Sequence, residues 1–489
     1  MMYRPVAIFA MITCIGLLSG CASVPKEAGF PDVQRLIEQR IGQRVHWNQG
    51  TPEDAAVSDA VRSMLRQELT IDNAVQIALL NNRSLQATYE ELGIAQANLV
   101  QAGLLRNPTF FASFRFMDRV VDRHRQTNTE FSVDQDFLDL LMLPLRKKVA
   151  AAQFEQAKQR VSNAILDLAK EVRSAYYTLQ ADEQTLEMRR TVVLATEAAA
   201  ELASRQLEAG TLKQLDVDNQ QGFYHQAKLD MARTDIQIIA DHEHMNRLMG
   251  LWGTDTLWKL PGRLPALPES EIQLEHLESL AVSQRLDLAA ARHTVEAVAF
   301  SLSLTKKFRY FSVFEFGVDT EHDAPDRVNL TGPHLTIELP IFDQQQAAIA
   351  RLEAQLRQSQ QQLSALAIDI RSEVREIRDR LLAARNVVKY YHDVVLPLRQ
   401  RIVDESQLYY NGMLIGVYEL LLAKQNQISA GREYIEAMRD YWIARSDLGR
   451  AVGGRLIATE KAIQPTTQPV EQPTPQPSEP FEHIHHQGD

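Results

Sequence analysis

The stretch TFFASFRF, Thr109 to Phe116, sends Phe110, Ala112, Phe114 and Phe116 to one side of an extended chain and Ser113 and Arg115 to the other. That period of two is the mark of a β-strand with two unlike faces. Three more segments share it. EFSVDQDF sets Phe131, Val133, Gln135 and Phe137 against Ser132, Asp134 and Asp136. FSVFEFGV sets Phe314, Phe316 and Val318 against Phe311, Val313, Glu315 and Gly317, and HLTIELPI alternates Leu335, Ile337, Leu339 and Ile341 with His334, Thr336, Glu338 and Pro340. Strands of about ten residues with this dyad pattern suit a membrane barrel. A soluble hairpin with one buried face would show the same letters. The polar stretches DRVVDRHRQTNT, from Asp118, and DTEHDAPDRVNL, from Asp319, read as exposed loops at the hairpin tips.

Each strand pair leads into a long apolar-striped segment. Between about Arg146 and Glu208 there is neither Pro nor Gly, and Val161, Ile165, Leu168, Val172, Ala175 and Leu179 keep a 3/4 rhythm. Between Asp343 and Tyr410 the sole Pro is Pro397, and Leu363, Leu366, Ile370, Val374, Ile377, Leu381, Ala384 and Val388 keep the same rhythm. Narrow stripes of that length predict coiled-coil packing over roughly 90–100 Å. Pro144 and Pro340 read as closing the strands before the helices begin. The helices end at glycine turns, EAGTLKQL and YNGMLIGV, and shorter helices return from about Leu215 to Met249 and from Val417 to Val452.

The order is duplicated. NNRSLQATYEELGIAQANL from Asn81 aligns with QRLDLAAARHTVEAVAFSL from Gln284 at an offset of 203, and pairing Gly210 with Gly412 gives an offset of 202. Two units of about 200 residues follow, at 69–255 and 271–454, joined by a Pro-rich linker at 256–270. In each, a first helix starts after a cap, Thr70-Ile71-Asp72 in the first unit and near Glu271 in the second. The fold class is therefore mainly α with a small β part. Four strands cannot close a barrel, and open edges in lipid would leave backbone groups unpaired at several kcal/mol each. If the strands cross a membrane, the chain must oligomerise.

The N-terminus reads as a lipoprotein signal peptide, residues 1–20. Arg4 precedes an apolar core, Val6 to Leu18, too short to span a bilayer. Leu18-Ser19-Gly20-Cys21 resembles a bacterial lipobox, which makes Cys21 a lipidation site; several acyl chains at about 0.8 kcal/mol per CH₂ give stable anchoring. Residues 22 and 23 are Ala and Ser, so the Asp that resembles an inner-membrane retention signal is missing, which favours the outer membrane. Residues 21–68 read as a lipid-anchored strap along the outside of the assembly. With Cys14 and Cys21 the sole cysteines, a disulfide framework and a Cys-based zinc site are excluded. The formal charge of −11 argues against nucleic-acid binding. His242-Glu243-His244 lacks the spacing of a zinc protease, no nucleophile elbow, P-loop or dinucleotide fingerprint occurs, and no enzyme or cofactor is expected.

The duplicated NNRSLQA and QRLDLAA segments, the LPLRKK and LPIFDQQQ junctions and the two glycine turns together resemble the TolC-like outer-membrane efflux factors over about Leu69 to Gly454. The LPIFDQQQAAIA junction is similar to members attached to heavy-metal exporters of the resistance-nodulation-division class. The resemblance implies a homotrimer in which each protomer gives four strands to a twelve-stranded outer-membrane barrel. It implies a periplasmic tunnel of antiparallel coiled-coil helices, a periplasmic adaptor, an inner-membrane pump, and passive conduction of drugs, metals or other small molecules. It also implies adaptor docking at the tip turns, Gly210, Thr211, Leu212, Gly412, Met413 and Leu414. Asp216 matches an acidic residue of the family's closed tip. Leu414, Tyr418 and Leu421 stand where some members carry an Arg and two Asp residues, so a constriction here would be apolar, unless these residues merely pack helix on helix.

After Lys461 the composition changes. QPTTQPVEQPTPQPSEP predicts an extended, disordered tail over 455–489. Its terminal His483, His485 and His486 are candidates for weak metal binding or a chance cluster in a solvated segment. Two functions follow: a trimeric efflux conduit in a Gram-negative outer membrane, or a lipid-anchored periplasmic coiled-coil scaffold that conducts nothing.

Overall fold

A computed structural model describes residues 23–454 apart from 122–123, 272–273, 312 and 324–327. The lipidation candidate Cys21 and the tail histidines His483, His485 and His486 lie outside the described residues. Two short helices of the strap, α1 (Phe30–Ile41) and α2 (Pro52–Leu65), come first. They are followed by α3 (Ile71–Asn81), α4 (Arg83–Ala102), β1 (Thr109–Val121), β2 (His124–Asp136), α5 (Leu138–Glu208) and α6 (Gln214–Met249). The same order then recurs: α7 (Leu277–Gln284), α8 (Leu286–Lys307), β3 (Phe314–Asp323), β4 (Val328–Ile337), α9 (Gln346–Tyr390), a π-turn (Tyr391–Val395), α10 (Leu396–Asn411) and α11 (Val417–Ala451).

The first helix of each unit is broken once. Asn82 ends α3 and caps α4: its side chain accepts from Leu85 N and donates to Leu248 O, both at 2.8 Å. Arg285 makes the matching break between α7 and α8, its guanidinium held by Asp287 and Glu373. The start near Glu271 shifts to Leu277 because Glu271 is engaged as an anchor, taking Arg385 and Arg445 at 3.2 Å and the Tyr441 hydroxyl.

The stripes bury as their spacing requires. Val161, Ile165, Val172 and Leu179 on α5 are fully enclosed, as are Ile370, Val374 and Leu381 on α9; Leu168, Ala175, Leu363, Leu366 and Ala384 are partly so. One apolar core serves each unit. Two prolines sit differently from the sequence expectation. Pro144 lies inside α5, which starts at Leu138 rather than after the proline. So near the helix start its missing N–H affects one carbonyl only, that of the exposed Leu140. Pro397 follows the π-turn, whose wider ring lets the helix run on to Asn411.

The linker is tied down by side chains. Gln180 donates to the carbonyls of Pro261 and Arg263 at 2.8 Å, Trp442 to Pro265 at 3.0 Å, and Arg385 to Pro268 and Glu269. The strap packs on α4 and α5 through the Phe30 edge on Tyr89, the Trp47 indole on Glu90, and Lys158 on Asp32 at 3.1 Å.

Candidate functional site: a two-faced sheet and the helical turns

The four strands form one antiparallel sheet in the order β1-β2-β3-β4, leaving the outer edges of β1 and β4 unpaired in the single chain. The strands run further than the alternation suggested. Much of the polar sequence expected in the hairpin loops belongs to the strands, which run to Val121 and Asp323 and resume at His124 and Val328. The register explains why: Asp319, Glu321 and Asp323 continue the polar face instead of leaving the sheet.

Cross-strand partners share a face. One face carries Phe110, Phe114 and Phe116, then Phe131 and Val133, then Phe316 and Val318, then Leu335 and Ile337, all exposed in the protomer. Phe131 stacks against Phe110 and meets Phe114 edge-on. The opposite face carries Glu130, Ser132, Asp134 and Asp136 beside Glu315, Asp319, Glu321 and Asp323, with Arg115 and His334 among them. Phe111, Val328 and Leu330 are its apolar members. Arg115 pairs with Glu130 at 2.9 Å, and His334 bridges Asp134 and Asp319 across β3. That bridge passes over Gly317, where a Cβ would overlap the Asp134 carboxylate and come within 2.5 Å of the imidazole.

The sheet joins the helices through a buried knot. Asp139 accepts from Arg106 N at 3.1 Å and from the guanidinium of Arg146, which also donates to the carbonyls of Ala102 and Leu104. Burial opposes ionisation of Asp139, but the Arg146 and Arg106 contacts win and hold its carboxyl below the usual range.

At the other end of α5 the chain turns in a Schellman motif. Gly210 N donates to Leu207 O at 2.8 Å and Thr211 N to Gln206 O at 2.9 Å, with Gly210 left-handed at φ 72°. The second turn repeats both bonds, Met413 N to Tyr410 O and Leu414 N to Tyr409 O. Its left-handed residue is Met413, at φ 58°, while Gly412 is right-handed at φ −79°. Gly210 therefore corresponds to Met413, at the offset of 203, and not to Gly412. Leu212 and Asp216 are half-buried beside the first turn; Met413 and Leu414 project into solvent, 94% and 72% exposed. The Tyr418 hydroxyl donates to Gln206 Oε1 at 3.1 Å and ties the two turns together. Burial and the nearby Asp216 raise the Tyr418 phenol. Tyr418 and Leu421 line a groove with Thr196, Phe223 and Leu422. Leu414 does not join that lining, so within one protomer the expected constriction residues are not gathered at one point.

The edge helices carry unpartnered rows. Leu215, Leu229 and Ile236 are exposed at heptad spacing on α6, with Ile239 beside them; Val387, Tyr390, Val394, Leu398 and Ile402 are exposed from α9 to α10. The sequence marks Leu215 only as a helix start and none of the others, because a stripe facing a neighbouring copy has the same period as one facing the protomer's own core.

Residues 74–253 match the model of the outer membrane efflux protein family. The chain is similar to the cobalt-zinc-cadmium resistance protein CzcC of Cupriavidus metallidurans, 19% identical over 393 residues, covering 79% of this chain and 90% of that protein. Its fold is similar to that of CusC, with a TM-score of 0.67 at 15% identity over 79% of this chain and 93% of that one. It is also similar to the outer membrane protein VceC of Vibrio cholerae, with a TM-score of 0.66 at 14% identity over 81% and 99%. Residues 74–253 thus resemble the outer membrane efflux proteins, and the fold is similar to these channel structures across about four-fifths of the chain.

Proposed function

We propose that three copies of this chain form one outer-membrane conduit, each giving four strands to a shared twelve-stranded barrel. The observation that carries this is the sheet: apolar on one face, acidic on the other, and unpaired at both edges. In lipid, unpaired edges cost several kcal/mol per backbone group, so β1 of one copy must meet β4 of the next. The exposed rows on α6 and on α9–α10 support the same ring, since they lie on helices at opposite flanks of the protomer and can bury each other between copies. A soluble scaffold would have no use for so much exposed Phe.

In this reading the acidic face lines the lumen. Its carboxylates outnumber Arg115 and His334, so the field favours cations. That suits a cargo of metal ions or other cationic small molecules, and the similarity to a cobalt-zinc-cadmium resistance protein points the same way. Conduction is passive and needs no catalytic group. Cys21 anchors the assembly by acylation. The turns at Gly210–Leu212 and Gly412–Leu414 dock a periplasmic adaptor, which joins the conduit to an inner-membrane pump. Asp216, Leu414, Tyr418 and Leu421 from three copies would form the narrow end. The test is conductance in a planar bilayer under a salt gradient. Open channels with a cation-sign reversal potential are expected. Electrical silence contradicts the conduit, and an anion-sign potential contradicts the lining.

A further inference from the structure

One cavity lies away from both the sheet and the turns. It is about 750 Å³ and open to solvent, formed where the end of α2 meets the loop after α6. Trp252 and Leu257 stand in it 80% and 84% exposed, an unusual condition for such large apolar groups. Arg62, Arg66 and Lys259 surround them. Arg62 reaches Asp59 at 3.6 Å, whereas the side chains of Arg66 and Lys259 make no ion pair among the described residues. Glu68 and Asp255 complete the rim, so the lining carries three cationic side chains against two carboxylates, in a chain of net charge −11.

We infer that this groove is the docking site of the chain's own C-terminal segment, about Gln464 to Asp489. Three observations support that occupant. The first is chemistry: prolines at 465, 469, 473, 475, 477 and 480 supply rigid apolar rings of the kind that stack on exposed indoles in aromatic-lined grooves. The second is charge: beyond Lys461 the segment has Glu471, Glu479, Glu482 and Asp489 but no Lys or Arg, complementary to Arg66 and Lys259. The third is reach. The described chain ends at Gly454, just after Arg450 binds Asn163 of α5 at 3.0 Å. The groove is tied to α5 at Tyr176, whose hydroxyl donates to Leu69 O, while Leu69 N donates to Lys259 O. From Asn163 to Tyr176 is about 20 Å of helix, and the 35 residues after Gly454 span up to roughly 100 Å when extended. The segment would thus strap the level of the linker, independently of whether the barrel conducts.

Hydroxyl-radical footprinting of the full-length trimer, read by mass spectrometry, tests this against a chain ending at Lys461. Labelling of Trp252 and Leu257 should rise several-fold on truncation, while the buried Trp47 stays constant and the oligomer remains intact. R66E/K259E in the full-length chain should give the same rise with the segment still present. Equal strong labelling with and without the segment would show an open groove. Equal protection would show that another copy covers it, and protection surviving R66E/K259E would remove the charge recognition. Each of these results overturns the proposal.

Discussion

Asn82 and Arg285, 203 residues apart, do the same work in the two units: each breaks the first helix and donates to the end of a returning helix. Asn82 bonds Leu248 O at 2.8 Å and Arg285 approaches Ala451 O at 3.5 Å, and those two carbonyls are again 203 apart. The same spacing relates Gly250, left-handed against the Asn81 carbonyl, to Gly453, left-handed against Gln284. The bonding differs in kind. Asn82 is a neutral cap, and Arg285 is a buried cation held by Asp287 and Glu373.

The two breaks should respond differently to truncation. Asn82→Ala loses a cap and strands the Leu248 carbonyl, costing about 1–3 kcal/mol. Arg285→Ala leaves Asp287 and Glu373 facing an empty site and should cost about 3–5 kcal/mol. Thermal unfolding of the purified protein checks the order, and equal losses would contradict it.

Met413 holds a conformation that costs a non-glycine residue about 1–2 kcal/mol. Met413→Gly should therefore raise stability by about 1 kcal/mol. If the Met413 side chain, almost wholly in solvent, is an adaptor contact, the same variant should weaken adaptor binding in a titration with the purified adaptor. Gain of stability together with unchanged binding would assign the strain no role in docking.

Asp182 on α5 faces Asp241 on α6, with Glu436 and Arg439 of α11 alongside. Burial first, and Asp241 second, push the Asp182 carboxyl up to about 6. Asp241 accepts from Gln237 at 3.0 Å through one oxygen, and its other oxygen is buried. A raised carboxyl favours the folded state at low pH, and that contribution fades as pH climbs from about 4 through about 6. Asp182→Asn should therefore stabilise the protein at pH 7–8 by about 1–2 kcal/mol, less than the full shift because the group is only half-buried. Below pH 4 the difference should vanish. A gain that persists at pH 4 would rule out the titration.

Gly317 leaves the space through which His334 reaches Asp134. Gly317→Val should fill it, break the bridge across β2, β3 and β4, and reduce the yield of outer-membrane trimer on a native gel. Gly332 pairs with Asp319 on the same face and has open space around it, so Gly332→Ala should be tolerated.

The long stripes and the strand alternation were legible in the sequence because burial fixes their period: Ile165, Val172, Ile370 and Leu381 are enclosed, and Phe110, Phe114 and Phe131 share one face. Other features were hidden for physical reasons. The helix breaks at Asn82 and Arg285 interrupt the backbone without interrupting the apolar rhythm. The NGM turn shows its glycine one place before the residue that goes left-handed. The polar ends of the strands read as loops because an acidic wall and a solvated loop use the same residues. Pro144 marked no boundary because the one carbonyl it leaves unbonded, that of Leu140, belongs to a residue exposed to solvent. The groove at Trp252 and Lys259 joins distant segments, and no local pattern announces it.

Closure of the strands between copies is the claim on which the conduit depends. Cysteine scanning tests it most directly: Ala112→Cys on β1, combined in turn with single cysteines along β4 from Asn329 to Leu335, followed by oxidation in the outer membrane and denaturing electrophoresis. The account predicts one β4 position, with its alternate neighbours, that yields a covalent trimer closed by three bridges. Bridges confined to single chains, or no bridging at any position, would contradict it.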